Sequence, residues 1–296
     1  MSERFIVMFS YMKLVAFIVI STSLSVSLSG CSTAVRQEAK ELSVYDRVIK
    51  TGKLRCGYVV YTPGCIKDPN TGKLSGIGVE AIELVAQKLG LKVEWTEEVG
   101  WGTMIEGLQT GRYDLIATPI WTNANRAKVV DFAKPLFFSP VYAYVSPRNS
   151  VQSTESLSWL NSPSHTIATI DGETGEIIAQ EDFPQAKTSS LPQLSDVSQL
   201  LLNVSTGKAE VAFVEPAVAV EFLKHNKGAV KVFSEDQPVR VFSNCWMFRR
   251  NQTEFKAMID TVLDQLHNSG AINRIVAKFE SSPGVFYRVA LPYQKP

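Results

Sequence analysis

The sequence has few of the residues from which catalytic and metal sites are usually built. Its 296 residues include four cysteines and three histidines. No Cys-x-x-Cys or Cys/His spacing predicts a zinc site. His165, His225 and His267 are far apart, with no acid–base partner at a useful spacing. Neither a Gly-x-Ser-x-Gly elbow nor a P-loop occurs. We therefore expect no metal, no cofactor and no catalytic residue.

An excess of charge of one sign is also missing. The formal net charge is +1 at pH 7, and removal of the N-terminal segment described below leaves a balanced chain. A neutral chain without a long basic run has no electrostatic reason to bind nucleic acid. It also has no charged patch with which to hold a membrane surface.

Long apolar runs are limited to the N-terminus. Met12-Lys13 precedes an apolar and small-residue run that ends at Leu28-Ser29-Gly30-Cys31. The run is too short and too rich in Ser and Thr for a membrane span. Its ending resembles the bacterial lipobox, in which the cysteine becomes the lipidated first residue. The sequence thus predicts a signal peptide over residues 1–30, lipidation at Cys31 and a translation start at Met12; an uncleaved anchor is the alternative.

Hydrophobic periodicity predicts alternating strands and helices after a polar tether at residues 31–44. The first unit consists of strand Leu54–Val60, a hairpin turn at Asp68–Gly72, helix Val79–Leu89 stopped by Gly90, strand Lys92–Trp95, helix Met104–Leu108 and strand Asp114–Ile120. The second consists of strand Thr166–Ile170, helices Gly175–Glu181 and Val197–Val204, strand Val211–Val214 and a helix from Val218. Extended runs at Tyr142–Ser150 and Val239–Phe248 and two C-terminal amphipathic helices complete the pattern. This alternation predicts an α/β fold with mostly parallel sheets.

An ordered set of motifs along nearly the whole chain resembles one family. The motifs are Gly52–Arg55, Gly76–Glu80, Trp101, Gly107–Ile116, Asn125–Phe132 and Gly207–Phe213. Together they are similar to family 3 of the bacterial extracellular solute-binding proteins, which mostly serve importers of polar amino acids. The resemblance implies a two-lobed, periplasmic-binding-protein-like fold (type 2) with a hinge of two crossings. Lobe 1 would cover residues 45–142 and 238–290, and lobe 2 residues 143–237, with the ligand at the strand carboxyl ends.

The resemblance also implies the charged part of a ligand site. Arg126 lies where the family's arginine binds the ligand carboxylate with a bidentate fork. The backbone N–H groups of Thr174 and Gly175, at a helix N-terminus, would bind the same carboxylate. Glu215 follows a buried strand where the family commonly has an aspartate that pairs with the ligand ammonium. The alternative roles are a surface helix cap for Arg126, simple capping for Thr174 and a turn for Glu215.

Four further residues complete the predicted site. Tyr61 and Trp101 match positions where aromatic rings enclose the ligand, although either ring also suits a core. Pro119 and Trp121 replace a glycine and a threonine of the family pattern, and Gly78 stands where the family often has aspartate. These departures favour a ligand that is flatter, larger or more cationic than an ordinary α-amino acid.

The remaining expectations concern cysteines, partners and alternative functions. If the fold is as implied, Cys65 and Cys245 lie in one lobe and form the favoured disulfide pair. The expected protein is a monomeric, non-enzymatic periplasmic or cell-surface lipoprotein, with a small solute, a membrane permease of an ABC importer and the membrane as partners. A dehydratase that uses Glu215 as an acid, of the cyclohexadienyl type, and a sensory module that presents ligand to a receptor are the alternatives.

Overall fold

The computed structural model describes residues 42–148, 156–282 and 285–290. The predicted signal peptide, Cys31 and most of the predicted tether lie outside the described residues. Helix α1 (Val44–Thr51) begins at Val44, the last residue of the predicted tether. The side chain of Ser43 caps this helix by accepting the N–H of Asp46. Within the described ranges, no helix is both long enough and apolar enough to cross a membrane.

The first sheet contains strands from both ends of the chain. Its strands are β1 (Lys53–Tyr58), β4 (Lys92–Glu98), β5 (Leu115–Trp121), β6 (Val130–Phe132) and β12 (Arg240–Arg249). Their order is β4-β1-β5-β12, with β6 paired to β12. β1 is parallel to β4 and β5, whereas β12 is antiparallel to β5 and β6. A small hairpin, β2 (Ile66–Lys67) and β3 (Leu74–Ser75), encloses the predicted turn, in which Asp68 accepts two backbone N–H groups.

The second sheet is built from the middle of the chain. Its strands are β8 (Thr166–Ile170), β9 (Lys187–Leu191), β10 (Val211–Val214) and β11 (Lys231–Val232). β8 runs parallel to both β9 and β10. β7 (Phe137–Val145) pairs with β12 through its first half and with β10 and β11 through its second half. β7 and β12 are therefore the two antiparallel crossings between the sheets, and the predicted two-lobed α/β fold is confirmed.

Helices cover both sheets, as expected for α/β units. Around the first sheet lie α2 (Ile77–Leu89), α3 (Met104–Gln109), α4 (Ala124–Ala127), α8 (Thr253–Asn268) and α9 (Ala271–Phe279). Around the second lie a 3-10 turn (Leu157–Leu160), α5 (Thr174–Asp182), α6 (Ser198–Ser205) and α7 (Pro216–His225). Gly90 ends α2 with φ +67°, where its N–H reaches the carbonyls of Ala86 and Gln87. The helices place the ends of β5, β8 and β10 at one shared edge.

The core between α2, α8, α9 and the first sheet is apolar and fully enclosed. Trp246 is completely buried there, and its indole N–H donates to the carbonyl oxygen of Ala117 at 2.9 Å. Phe248 packs edge-to-face on Phe255. The hydrogen bond joins β12 to β5, and the ring contact joins β12 to α8. These contacts hold β5 in place, so its last residues have a fixed position.

Candidate functional site

A small internal cavity lies where the ends of the two sheets meet. It is lined by Tyr61, Trp101, Pro119, Trp121, Arg126, Glu173 and Thr174. Six of the eight predicted ligand residues thus lie around one space. Its free volume is about 10 Å³, which is room for about one water molecule. The structure therefore has a closed arrangement that a ligand must open to enter.

Arg126 spans the cavity and connects the two lobes. The Asn123 side chain caps α4 by accepting the N–H of Arg126 at 2.8 Å, which fixes the start of its side chain. The guanidinium then donates to the carbonyl oxygen of Trp121 at 2.9 Å, to the hydroxyl of Thr174 at 3.1 Å and to the carbonyl oxygen of Gly172 at 3.2 Å. Burial lowers the pKa of Arg126 to about 10, so the group stays cationic at neutral pH.

Glu215 is the most enclosed acid of this region, with 1% of its surface exposed. It lies between β10 and the proline that opens α7, and its carboxylate accepts the Tyr61 hydroxyl and the Trp121 indole N–H, the latter at 3.1 Å. The Ser139 hydroxyl, on crossing strand β7, is a third donor. Burial outweighs these donors and raises the pKa of Glu215. Glu215 does not itself line the small cavity, but it is bonded to two residues that do, Tyr61 and Trp121.

Glu173 is a site residue that the sequence reasoning missed. It is the N-cap of α5, it is 7% exposed, and its carboxylate accepts the Gly175 N–H at 2.5 Å. The predicted donor at Gly175 is therefore already bound to a protein carboxylate. Burial raises the pKa of Glu173 to about 7, and Glu215 adds to the rise. The available sequence signal was an acid directly before a predicted helix, where a cap and a favourable dipole place it.

The aromatic residues hold one another in place around the cavity. The rings of Tyr61 and Trp101 meet edge-to-face with centroids 5.5 Å apart. The Trp121 ring stacks on Phe242 of β12 at 4.8 Å. Trp121 thus fills a position near the crossing strands, and both its carbonyl and its indole N–H bind charged groups.

Gly78 and Pro119, two departures from the family pattern, form one packing pair. A Cβ at Gly78 would lie 2.6 Å from Cδ of Pro119 and 2.3 Å from the carbonyl oxygen of Ala117. Both distances are too short for any side chain. The first turn of α2 therefore packs directly on β5, and this contact requires glycine at position 78.

A larger cavity of about 260 Å³ lies on the other side of Tyr61. The residues that line it come from both lobes: Val60, Tyr61, Thr62, Asp196, Val197, Ser198, Ala217, Val218, Glu221, Phe222, His225 and Asn226. Among these, the sequence reasoning assigned only Tyr61 to a site. Tyr61 lines both spaces.

The predicted Cys65–Cys245 disulfide is not formed in the structure. Both residues are buried free thiols, as is Cys56. The Cys65 thiol hydrogen-bonds to Thr118 and that of Cys245 to Ser243. Burial raises the pKa of Cys65 to about 12 and that of Cys245 to about 11, so both remain protonated at neutral pH. Among the described residues, no cluster of His, Cys, Asp and Glu could hold a metal ion.

A two-lobed α/β chain with a polar, ring-lined cavity at the crossing between its lobes has the architecture of a solute-binding protein. Residues 54–282 match the family described as "Bacterial extracellular solute-binding proteins, family 3". The chain belongs to this family, and its fold is that of the substrate-binding proteins of ABC transporters.

Relatives with named ligands support this assignment. The L-cystine-binding protein TcyA of Bacillus subtilis is 24% identical over 273 residues, which are 90% of this chain and 96% of TcyA. A probable histidine-binding protein of Campylobacter jejuni is 23% identical and covers 70% of this chain and 77% of its own length. These relatives are mainly binding proteins rather than enzymes.

Solved structures show the same fold. An ancestral amino acid-binding protein, a precursor of cyclohexadienyl dehydratase, superimposes with a TM-score of 0.70 at 26% identity and covers 81% of this chain and all of its own. An ancestral arginine-binding protein bound to arginine gives a TM-score of 0.65 at 25% identity, with 77% and 98% of the two chains covered. The fold prediction made from sequence motifs is thus confirmed.

Proposed function

We propose that the chain is the lipid-anchored substrate-binding protein of an ABC-type importer and that it binds an amino acid or an amino-acid-like amine between its lobes. One observation carries the proposal: Glu215, to which no basic side chain of the described residues is bonded, accepts hydrogen bonds from Tyr61 and Trp121, and these two residues line a cavity together with Arg126. A buried carboxylate beside aromatic faces binds an ammonium or guanidinium group well. Residues 45–142 with 238–290 and residues 143–237 are the two bodies that close on the solute.

The ligand class is tested by a thermal-shift screen over amino acids, polyamines and betaines, followed by calorimetry on the hits. We expect saturable binding that Trp101→Ala weakens by about 5- to 30-fold, since a ring contact with a cation contributes about 1–2 kcal/mol. Trp159→Ala is the matched control, because the Trp159 ring packs on His165 outside the cavity. A screen in which no member of these classes binds would contradict the proposal.

Carrier and enzyme are separated by the fate of the bound molecule. The similarity to a precursor of cyclohexadienyl dehydratase makes this comparison worthwhile. We expect the bound solute to be recovered chemically unchanged after prolonged incubation, and we expect no turnover of prephenate-like acids. Product formation that is lost in Glu215→Gln would instead establish the dehydratase alternative.

The lipid anchor is supported by the Leu28-Ser29-Gly30-Cys31 sequence alone. Metabolic labelling with palmitate in a bacterial host should label the wild-type chain, which should be recovered with the membranes. Cys31→Ser should remove both the label and the membrane association. An unlabelled wild-type chain in the soluble fraction would refute the anchor but not the binding function.

A further inference from the structure

The N-terminus of α5 already holds an anion that belongs to the protein. The Glu173 carboxylate turns back over its own helix and accepts the Gly175 N–H at 2.5 Å. Gly175 permits this approach, because an added Cβ would lie 2.6 Å from the carboxylate oxygen. Helix N-termini bind anions through free N–H groups and the helix dipole. Here the donor expected to meet a ligand carboxylate is bound by Glu173.

The second predicted carboxylate partner, Arg126, is also engaged. Its Nη1 donates to the Trp121 carbonyl and the Thr174 hydroxyl, and its Nη2 donates to the Gly172 carbonyl. Its positive charge acts on Glu173 and lowers the pKa of that carboxyl, against the larger effect of burial. Arg126 thus neutralises a protein carboxylate and bonds protein oxygens, so its donors are not aligned as a free fork for a ligand.

The charges around the cavity favour a cation. Glu173 and Glu215 are both buried, and among the described residues that line the cavity Arg126 is the one basic side chain. When both acids are ionised, this region has one negative charge in excess. The rings of Tyr61, Trp101 and Trp121 add faces to which a cation is attracted. Excess buried charge is stabilised by an opposite charge from the ligand.

We propose that Glu173 is a built-in replacement for the ligand carboxylate, so that the cavity selects an organic cation with an amine or guanidinium group and no carboxylate. The inference rests on the proposed function, since it narrows the ligand class of the same cavity. The cationic group binds at Glu215 between the rings, while Glu173 and Arg126 form a fixed, internally paired wall.

Matched pairs of probes test the inference by calorimetry on the exported chain. The pairs are agmatine with arginine, cadaverine with lysine, and histamine with histidine, which differ by one carboxylate. We expect at least one amine to bind ten or more times more tightly than its amino acid. Amino acids that bind more tightly than their amines in every pair would overturn the inference and leave the proposed function standing. Failure of all six probes to bind would contradict the inference, whereas the proposed function is contradicted only when no member of the wider thermal-shift screen binds.

Variants of Glu173 give a second test with its own control. Glu173→Ala removes the carboxylate and frees the Gly175 N–H, because alanine cannot cap the helix, so it should raise affinity for the amino acid and lower it for the amine, reversing the preference. Glu173→Gln keeps the side-chain shape and should lower amine affinity in a chain that folds normally. Glu181→Gln, on the exposed end of the same helix, should leave both affinities unchanged. A preference that none of the Glu173 variants alters would refute the inference.

Proton release provides a test on the unmodified chain. The groups that face Glu173 are Arg126 from α4, Glu215 from the end of β10, and the N–H groups of Thr174 and Gly175. Since the pKa of Glu173 is raised to about 7, part of the population is protonated at pH 6–7, and a bound cation favours the ionised form. Agmatine binding should therefore release protons at pH 6–7 and weaken as the pH falls, by up to about tenfold per unit. Binding without proton release at pH 6–7 would count against the inference.

Discussion

Glu215 shows at the scale of one residue how neutral hydrogen-bond donors hold a buried acid, with no basic side chain bonded to it in the part of the chain that the structure describes. Its carboxylate has three neutral donors: Tyr61, Trp121 and Ser139. Ser139 is itself fixed by the Asn244 side chain of the other crossing strand at 2.7 Å. The donors stabilise the charge only in part, because burial still raises its pKa. A cationic ligand supplies the missing stabilisation.

Replacement of Glu215 by glutamine should distinguish the contribution of its charge to ligand affinity from the contribution of its size. Glu215→Gln keeps the volume, and its amide oxygen can still accept one of the two ring donors, which bond different oxygens of the glutamate. It loses the charge that pairs with the ligand cation. We expect affinity to fall by about 2–4 kcal/mol, or roughly 30- to 1000-fold, because a desolvated cation is left unpaired. Calorimetry measures this, with the exposed Glu254→Gln as control. An unchanged affinity would exclude Glu215 from the ligand site.

Asp114 is a second buried acid, and its role is structural. It is 1% exposed and accepts the N–H of Arg55 at 2.7 Å, and both the Arg47 and Arg55 guanidinium groups bind it. These contacts fix α1 and β1 to the turn before β5. Asp114→Asn should lower the free energy of unfolding by about 2–3 kcal/mol, since two largely buried arginine side chains lose a charged acceptor.

Chemical denaturation checks this value against a surface pair. Asp264→Asn is the control, because Asp264 pairs with Lys134 at 2.6 Å and is 51% exposed. An exposed pair contributes about 0–1 kcal/mol. Equal losses in the two variants would show that burial of Asp114 is not what stabilises the fold.

At the scale of elements, the contact of α2 with β5 couples two positions at which this chain departs from the family pattern, Gly78 and Pro119. The Gly78 Cα faces the Pro119 ring and the Ala117 carbonyl. Gly78→Ala should destabilise the fold by about 1–3 kcal/mol through overpacking. In a Pro119→Ala background, Gly78→Ala should lower the free energy of unfolding by about 0.5–1 kcal/mol less than in the wild type. The loss that remains comes from the contact with the Ala117 carbonyl. A double-mutant cycle with additive effects would show that the two positions are independent.

The elements with strong periodic patterns were predictable and those without were not. Strands Thr166–Ile170 and Val211–Val214 occur with the predicted bounds, since short apolar runs flanked by polar residues indicate buried strands. β9 was missed, because Lys187–Leu191 is a polar edge strand with little apolar alternation. β7 starts at Phe137 rather than Tyr142, because its two halves pair with different sheets, and no local pattern encodes that.

Long-range placement limited what could be predicted of the site. The family motifs predicted one site for Tyr61, Trp101 and Arg126, and these three residues line one cavity in the structure. The occupation of the α5 N-terminus by Glu173 depends on a side chain turning back on its own helix, and an acid at such a position is usually a solvated cap. In the closed fold the opposite lobe buries Glu173, so that this N-cap lines the cavity. That burial cannot be read from the local sequence.

At the scale of the whole molecule, the lobes meet along a seam of glycines. The N–H of Gly102 in the first lobe donates to the Gln193 side chain of the second at 2.9 Å. A Cβ at Gly172 would lie 2.8 Å from Cα of Gly102, and a Cβ at Gly102 would lie 2.7 Å from Oε1 of Gln193. Side chains at this seam would hold the lobes apart. Gly102 itself is exposed, so the first lobe alone can accommodate a side chain at position 102.

A wedge at this seam tests whether closure and binding are linked. Gly102→Leu should leave the folded lobes intact but oppose closure, because its side chain would occupy the space of Gln193 and Gly172. Small-angle scattering should show that a saturating ligand reduces the radius of gyration of the wild-type chain and not that of the variant. Affinity should fall by about tenfold or more, as the closed population falls. Gln87→Leu, at an exposed position of α2, should behave as wild type, whereas full closure and full affinity in Gly102→Leu would mean that binding does not require the glycine seam.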